Sequence, residues 1–216
     1  TQLVATPKTK EKVTRLNQLL SLRAKLVKDC GGYKTRIKEM LDTELISKSD
    51  LIYKTQKAVI TALNGNIQKV ESEIETLIET DPELKNNFDL IRTIKGVGKI
   101  VAARMLAVTS NFKKFSNARK FNCYAGLAPF KHESGTSIRG RSRVSHLANK
   151  EIKTVLNLAA FCAIRFNQEL KLYYEKRVSE GMKRMSCINI IRAKIVGRIF
   201  AVVKRQTPYD AQTLAA

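Results

Sequence analysis

The sequence predicts a nearly all-α protein in two parts, a coiled-coil helical hairpin over residues 1–80 and a compact helical domain over residues 81–216. Three observations carry that prediction. Apolar residues Ile60, Leu63, Ile67, Val70, Ile74 and Leu77 step by 3, 4, 3, 4 and 3, the seam of a coiled coil. Helix breakers are scarce in the first part, with glycine only at 31, 32 and 65 and proline only at 7. Farther along, two short apolar-periodic segments meet at Gly96 and Gly98, the spacing of a tight turn between helices.

The first helix should run from about Lys8 to Leu41. It carries Val13, Leu16, Leu20, Val27, Ile37 and Leu41 in a compatible heptad frame, interrupted by Gly31–Gly32 and by Arg23 and Lys34. A turn near Leu45–Asp50 leads into a second helix from about Ser49 to Glu79, roughly 45 Å long at 1.5 Å per residue. The two helices can cover each other as an antiparallel hairpin, or the seam can pair between chains in a homo-oligomer, a dimer or tetramer. Glu71, Glu73, Glu75 and Glu79 read as a solvated face or as partners for basic groups. Thr80-Asp81-Pro82 ends the arm, because the residue before proline is pushed out of the helical region while proline itself suits a helix start.

Charge separates the two parts. Residues 1–85 hold 15 basic and 12 acidic side chains, a net +3, and residues 86–216 hold 25 and 7, a net +18 out of the total +21. Such an excess calls for a polyanionic partner, with nucleic acid first among them. The longest uncharged apolar stretch, around Val155–Ile164, falls well short of the ~20 residues of a membrane span. No signal-peptide pattern opens the chain, so no membrane partner is expected and the location is cytoplasmic. Cysteines at 30, 123, 162 and 187 form no C-x-x-C pair and only two histidines accompany them, so no metal site is expected and the thiols read as reduced, small hydrophobes.

From Asn87 to Val108 the chain reads NFDLIRTIKGVGKIVAARMLAV. Glycines two apart permit positive φ and leave backbone N–H groups bare at the start of the second helix, where the dipole is also positive, so a phosphate oxygen can sit there. The pattern resembles the helix-hairpin-helix of sequence-independent DNA-binding proteins, over about 87–108, with Lys95, Gly96, Gly98 and Lys99 as the contact residues. A plain helical corner with a packing glycine is the alternative.

After a helix start at Ser116-Asn117, residues 129–149 form a polar loop. Ser134-Gly135 opens it, and Arg139, Arg141 and Arg143 follow at alternate positions, ahead of a helix beginning near Leu147–Lys150. A hydroxyl attacking a phosphodiester needs alignment, neutralisation of the transition state, and a base or metal. Arginines and a helix N-terminus supply the second of these. His132 and His146 read either as general bases or as surface or capping histidines. Beyond the loop, Asn157 to Phe166 and Gln168 to Val178 are helical, Gly181 is a stop, and Ser186 caps a last helix through Arg205. In that helix Ile188, Ile191, Ile195, Ile199 and Val202–Val203 make one face, with Arg192, Lys194, Arg198, Lys204 and Arg205 on others.

The ordered string I-K-G-V-G, F-x-x-A-R-x-x-x-x-Y-A-G-L-A-P, S-G, R-G-R and a helix with L-N-L-A-A resembles the C-terminal domain of the DEDD-type insertion-sequence transposases. That is family one-hundred-and-ten of the insertion sequences, which includes the pilin-gene invertases. The likeness spans about residues 87–205, with 8–80 similar to the arm that precedes this domain. It implies a transposase or site-specific recombinase acting on DNA, with the serine of the S-G signature, Ser134, as nucleophile and Arg139, Arg141 and Arg143 as phosphate contacts. Ser137, Ser142 and Ser145 are neighbouring alternatives. Where R-I-S-K-x-G-N is common in the family, this chain has Arg143-Val144-Ser145-His146-Leu147-Ala148-Asn149. The resemblance also implies Mg2+ held by four acidic residues of a separate N-terminal RuvC-like domain, and a structured noncoding RNA partner. Nothing here matches that acidic set, and the chain opens on Thr1, so it is expected to be a C-terminal fragment, nucleoid-associated and inactive alone. A non-catalytic helix-hairpin-helix module for nucleic-acid binding and oligomerisation is the rival reading.

Overall fold

The computed structural model describes residues 8–134, 138–144 and 148–210. It divides into two units, Thr1–Asp81 and Pro82–Ala216. In plan it is all-helical, with eight helices among the described residues and one two-stranded ribbon let in between the fifth and sixth.

The first unit is two helices, α1 (Lys8–Asp42) and α2 (Leu51–Glu79). Asp50 starts α2 by accepting the Ile52 N–H at 2.8 Å. The pairing is antiparallel: Lys12 Nζ donates to Thr80 O at 3.0 Å, Arg23 Nε to Glu71 Oε1 at 2.5 Å, and Cys30 Sγ to Asn64 Oδ1 at 3.4 Å. Ile60 packs with Cys30 and Ile37, and the partly buried Leu63 and Ile67 flank them, so α1 covers this stretch of the α2 seam. One expectation shifts. Val27 is 42% exposed while Cys30 is buried at 3%, so Cys30 holds the seam position. The helix runs unbroken through Gly31–Gly32, as its expected span requires, because packing along α2 outweighs the roughly 1 kcal/mol that each glycine costs a helix.

The second unit comprises α3 (Pro82–Arg92), α4 (Lys99–Thr109), α5 (Ala118–Tyr124), the strands β1 (Pro129–Ser134) and β2 (Ile138–Val144), α6 (Lys150–Phe166), α7 (Gln168–Ser179) and α8 (Arg184–Arg205). Side-chain oxygens of Asn117, Asn149 and Asn167 accept first-turn N–H groups of α5, α6 and α7, which fixes three helix starts. Ser186 is not the cap of α8: the helix begins two residues earlier, and Lys183 stands at the cap without a side-chain bond. α8 is the hub and packs on α3, α5, α6 and α7. Its Ile188, Ile191, Ile195, Ile199 and Val202 are at most 3% exposed, each contributing about 2 kcal/mol of apolar burial.

The polar loop expected over 129–149 is instead, over its described part, the antiparallel ribbon of β1 and β2. Glycines at 135 and 140 and the period-2 arginines disfavour a helix there, and the residues of one strand complete the backbone hydrogen bonds of the other.

Candidate nucleic-acid interface

The turn between α3 and α4 is closed by Val97 N–H donating to Ile94 O at 3.0 Å. The two glycines do different things. Gly96 has φ +97°, and a Cβ there would stand 2.7 Å from the backbone and Cβ of Ala163 in α6. Gly98 has φ −86° and ψ 174°, an extended conformation open to any residue, and a Cβ would meet nothing within 4 Å. Positive φ, expected of both glycines, is therefore found at Gly96, which also packs against Ala163, and not at Gly98. Lys95, Gly98 and Lys99 are exposed, and α4 starts at Gly98 without a side-chain cap, so its first turn presents the positive end of the helix dipole.

Along the ribbon, Pro129 pairs with Val144, Phe130 with Arg143, His132 with Gly140, Glu133 with Arg139 and Ser134 with Ile138. A register shift between Phe130 and His132 sets Arg141 and Ser142 against the one residue Lys131. Ser134 and Arg139 thus lie at the far end and Arg143 near the foot. Ser137, Ser145 and His146 lie outside the described residues.

The foot is tightly built. Gly126 has φ +65°, and a Cβ there would meet Ala148 Cβ at 2.4 Å, which explains glycine in the Tyr-Ala-Gly-Leu-Ala-Pro string. Asn149 N–H donates to Tyr124 O at 3.0 Å and Asn149 Nδ2 to Tyr124 Oη at 2.8 Å, tying the start of α6 to the end of α5.

Between the ribbon foot, α5, α6 and α8 lies a groove of about 900 Å³. Lys153, Asn157, Asn189 and Arg192 line it, and Met182, Met185 and Ile190 make apolar wall. Arg192, expected on an outer face of α8, is only 4% exposed. Its Nη2 donates to Asn157 Oδ1 at 2.5 Å and its Nη1 to Asn189 Oδ1 at 3.4 Å, and Nε has no partner among the described residues. Burial lowers the Arg192 pKa, and burial followed by the Arg192 charge lowers that of Lys153. Arg198, also expected outside, is 7% exposed and donates to Glu169 Oε1 at 2.6 Å. The spacing held the signal for both. Arg192 follows Ile188 by four and precedes Ile195 by three, while Arg198 follows Ile195 by three and precedes Val202 by four, so both belong to the apolar stripe.

No group of three or more His, Cys, Asp or Glu among the described residues could hold a metal ion, so these residues do not fit Mg2+. No described helix is long and apolar enough to cross a membrane.

Residues 88–175 match the family model described as the transposase IS116/IS110/IS902 family. Over 149 residues the chain is 29% identical to the pilin gene-inverting protein of Moraxella lacunata, covering 68% of this chain and 46% of that protein. The Moraxella bovis protein of the same name is 28% identical over the same shares. The IS110 uncharacterized 43.6 kDa protein of Streptomyces coelicolor is 24% identical over 163 residues, 76% of this chain and 39% of that protein. The chain therefore spans less than half the length of these curated relatives.

Proposed function

Over residues 88–175 the chain carries a transposase domain of the IS116/IS110/IS902 family, and from that premise we propose that it is the strand-handling part of a DNA recombinase that works through a serine nucleophile. The observation that carries this reading is the placement of Ser134, Arg139, Arg141 and Arg143 on two paired strands inside the matched span. Ser134 Oγ attacks a backbone phosphorus: the Oγ–P bond forms, the bond from phosphorus to one sugar oxygen breaks, and the hydroxyl proton ends on the departing sugar oxygen. A hydroxyl of a second strand then reverses the step. The three arginines neutralise the developing phosphorane charge. Lys95, Lys99 and the N–H groups following Gly98 grip duplex backbone in the manner of a helix-hairpin-helix, with Gly96 holding that turn against α6.

Mg2+ and its acidic ligands belong, on this reading, to an N-terminal RuvC-like domain outside this chain. The chain alone binds DNA without completing exchange, and a metal-supplemented chain that recombined DNA by itself would overturn that. A structured RNA is a second ligand for the same basic surface, exchange of two strands calls for a dimer or tetramer, and work on chromosomal DNA places the protein in the cytoplasm with the nucleoid.

The test is full-length protein with divalent metal, RNA partner and a nicked DNA that traps covalent intermediates, followed by peptide mapping of the adduct. The expected adduct is on Ser134. An adduct on Ser137, Ser142 or Ser145 moves the nucleophile and keeps the enzyme. No adduct, with salt-sensitive DNA binding in the same tube, replaces the reading with a non-catalytic binding module.

A further inference from the structure

We propose that the Arg192 groove is a phosphate-binding site that takes a backbone phosphate of a single, unpaired nucleic-acid strand beside the ribbon foot. It rests on the nucleic-acid reading above and adds to it a second, buried contact. Arg192 is 4% exposed, yet its only partners among the described residues are two neutral amide oxygens, those of Asn157 and Asn189, and its Nε bonds to nothing. The other buried arginines of the unit meet carboxylates, Arg104 with Glu151 at 3.8 Å and Arg198 with Glu169 at 2.6 Å. No Asp or Glu is among the described residues lining the Arg192 groove, whereas Lys153 and Arg119 add two more cations to it. The lowered pKa of Lys153 has the charge of Arg192 among its causes, which fits like charges with no anion between them.

A ligand must bring the missing charge. The two asparagines hold the guanidinium plane in place, and a guanidinium fork with a free N–H matches two oxygens of a phosphate. The groove is far larger than one phosphate, and its walls at Met182, Met185 and Ile190 are apolar, a surface against which the face of an unpaired base can lie. A duplex keeps its phosphates on a convex rail that does not reach a side chain this deep. The ribbon foot supplies Pro129 and Val144 to the same lining, so a strand seated here runs beside the elements that carry Ser134.

The test compares binding of a short fluorescein-labelled oligothymidylate and of a duplex of equal length to the intact chain by anisotropy. Arg192→Met should weaken single-strand binding by about tenfold and duplex binding by less than about twofold, with Arg192→Lys recovering part of the loss. Equal loss on both probes, or none, overturns the proposal. If Arg192→Met does not fold, Lys153→Met is held to the same single-strand preference. A wild-type chain that binds neither probe defeats the nucleic-acid reading itself. In that event inorganic phosphate, at matched ionic strength against chloride, raising the melting midpoint of wild type but not of Arg192→Met would assign the groove to free phosphate and overturn the strand assignment.

Discussion

Gly96 and Gly98 are neighbours on one turn, and Arg192 and Arg198 are neighbours on one helix, yet within each pair the fold uses up one residue and leaves the other open. Gly96 is pressed against Ala163, while Gly98 faces open space. Arg198 is neutralised by Glu169 and lies over the Tyr209 ring at 5.1 Å, while Arg192 has only neutral amides. Identical residue types thus carry different information. The member that is packed or paired with a carboxylate explains stability, and the other is the one with capacity for a ligand.

The sharpest break in this contrast is Gly96→Ala. Strain at positive φ together with a clash against helix backbone should cost about 3 kcal/mol in urea unfolding, whereas Gly98→Ala should cost about 0.5 kcal/mol. Equal costs would abolish the distinction.

At the arginines the expected signs differ. Arg198→Met should destabilise by about 2 kcal/mol, through loss of a charged hydrogen bond whose acceptor stays half exposed, plus the ring contact. Arg192→Met should leave urea stability within about 0.5 kcal/mol of wild type or raise it, because it removes a buried cation with no counter-charge. A large loss at Arg192 would mean that the two asparagines satisfy it fully.

Exposed and buried cations should also separate by salt. Lys95→Gln should weaken duplex binding for all sequences alike and flatten the log–log salt slope by about one.

The smallest effect is the titration of Lys153. Its pKa lies below the ordinary lysine value in the folded chain, so just below that value the unfolded chain holds more protons and stability rises with pH. NMR titration of its Cε should show the midpoint moving up in Arg192→Met and unmoved in Arg198→Met.

Much of the frame was legible because its signals are local. Proline at the start of α3, the heptad stripe of α2 and the apolar stripe of α8 depend on residues within a turn or two of each other. The ribbon was missed although its arginines repeat with period two, because no apolar alternation marked a buried strand face. Arg192 and Arg198 sat in the stripe by spacing but were read as surface by charge.

The sequence by itself therefore determined the helices, their polarity of charge and the turn at Gly96, all consequences of backbone preference and periodicity. Only the tertiary structure decided that Cys30 and Ile37 of α1 meet Ile60 of α2, that Gly96 meets Ala163, and that Arg192 meets Asn157 while Arg198 meets Glu169. The physical reason is that periodicity says which face leaves water. Whether a charge on that face finds an opposite charge depends on residues 29 and 35 positions away along the chain, and chain folding alone brings those together.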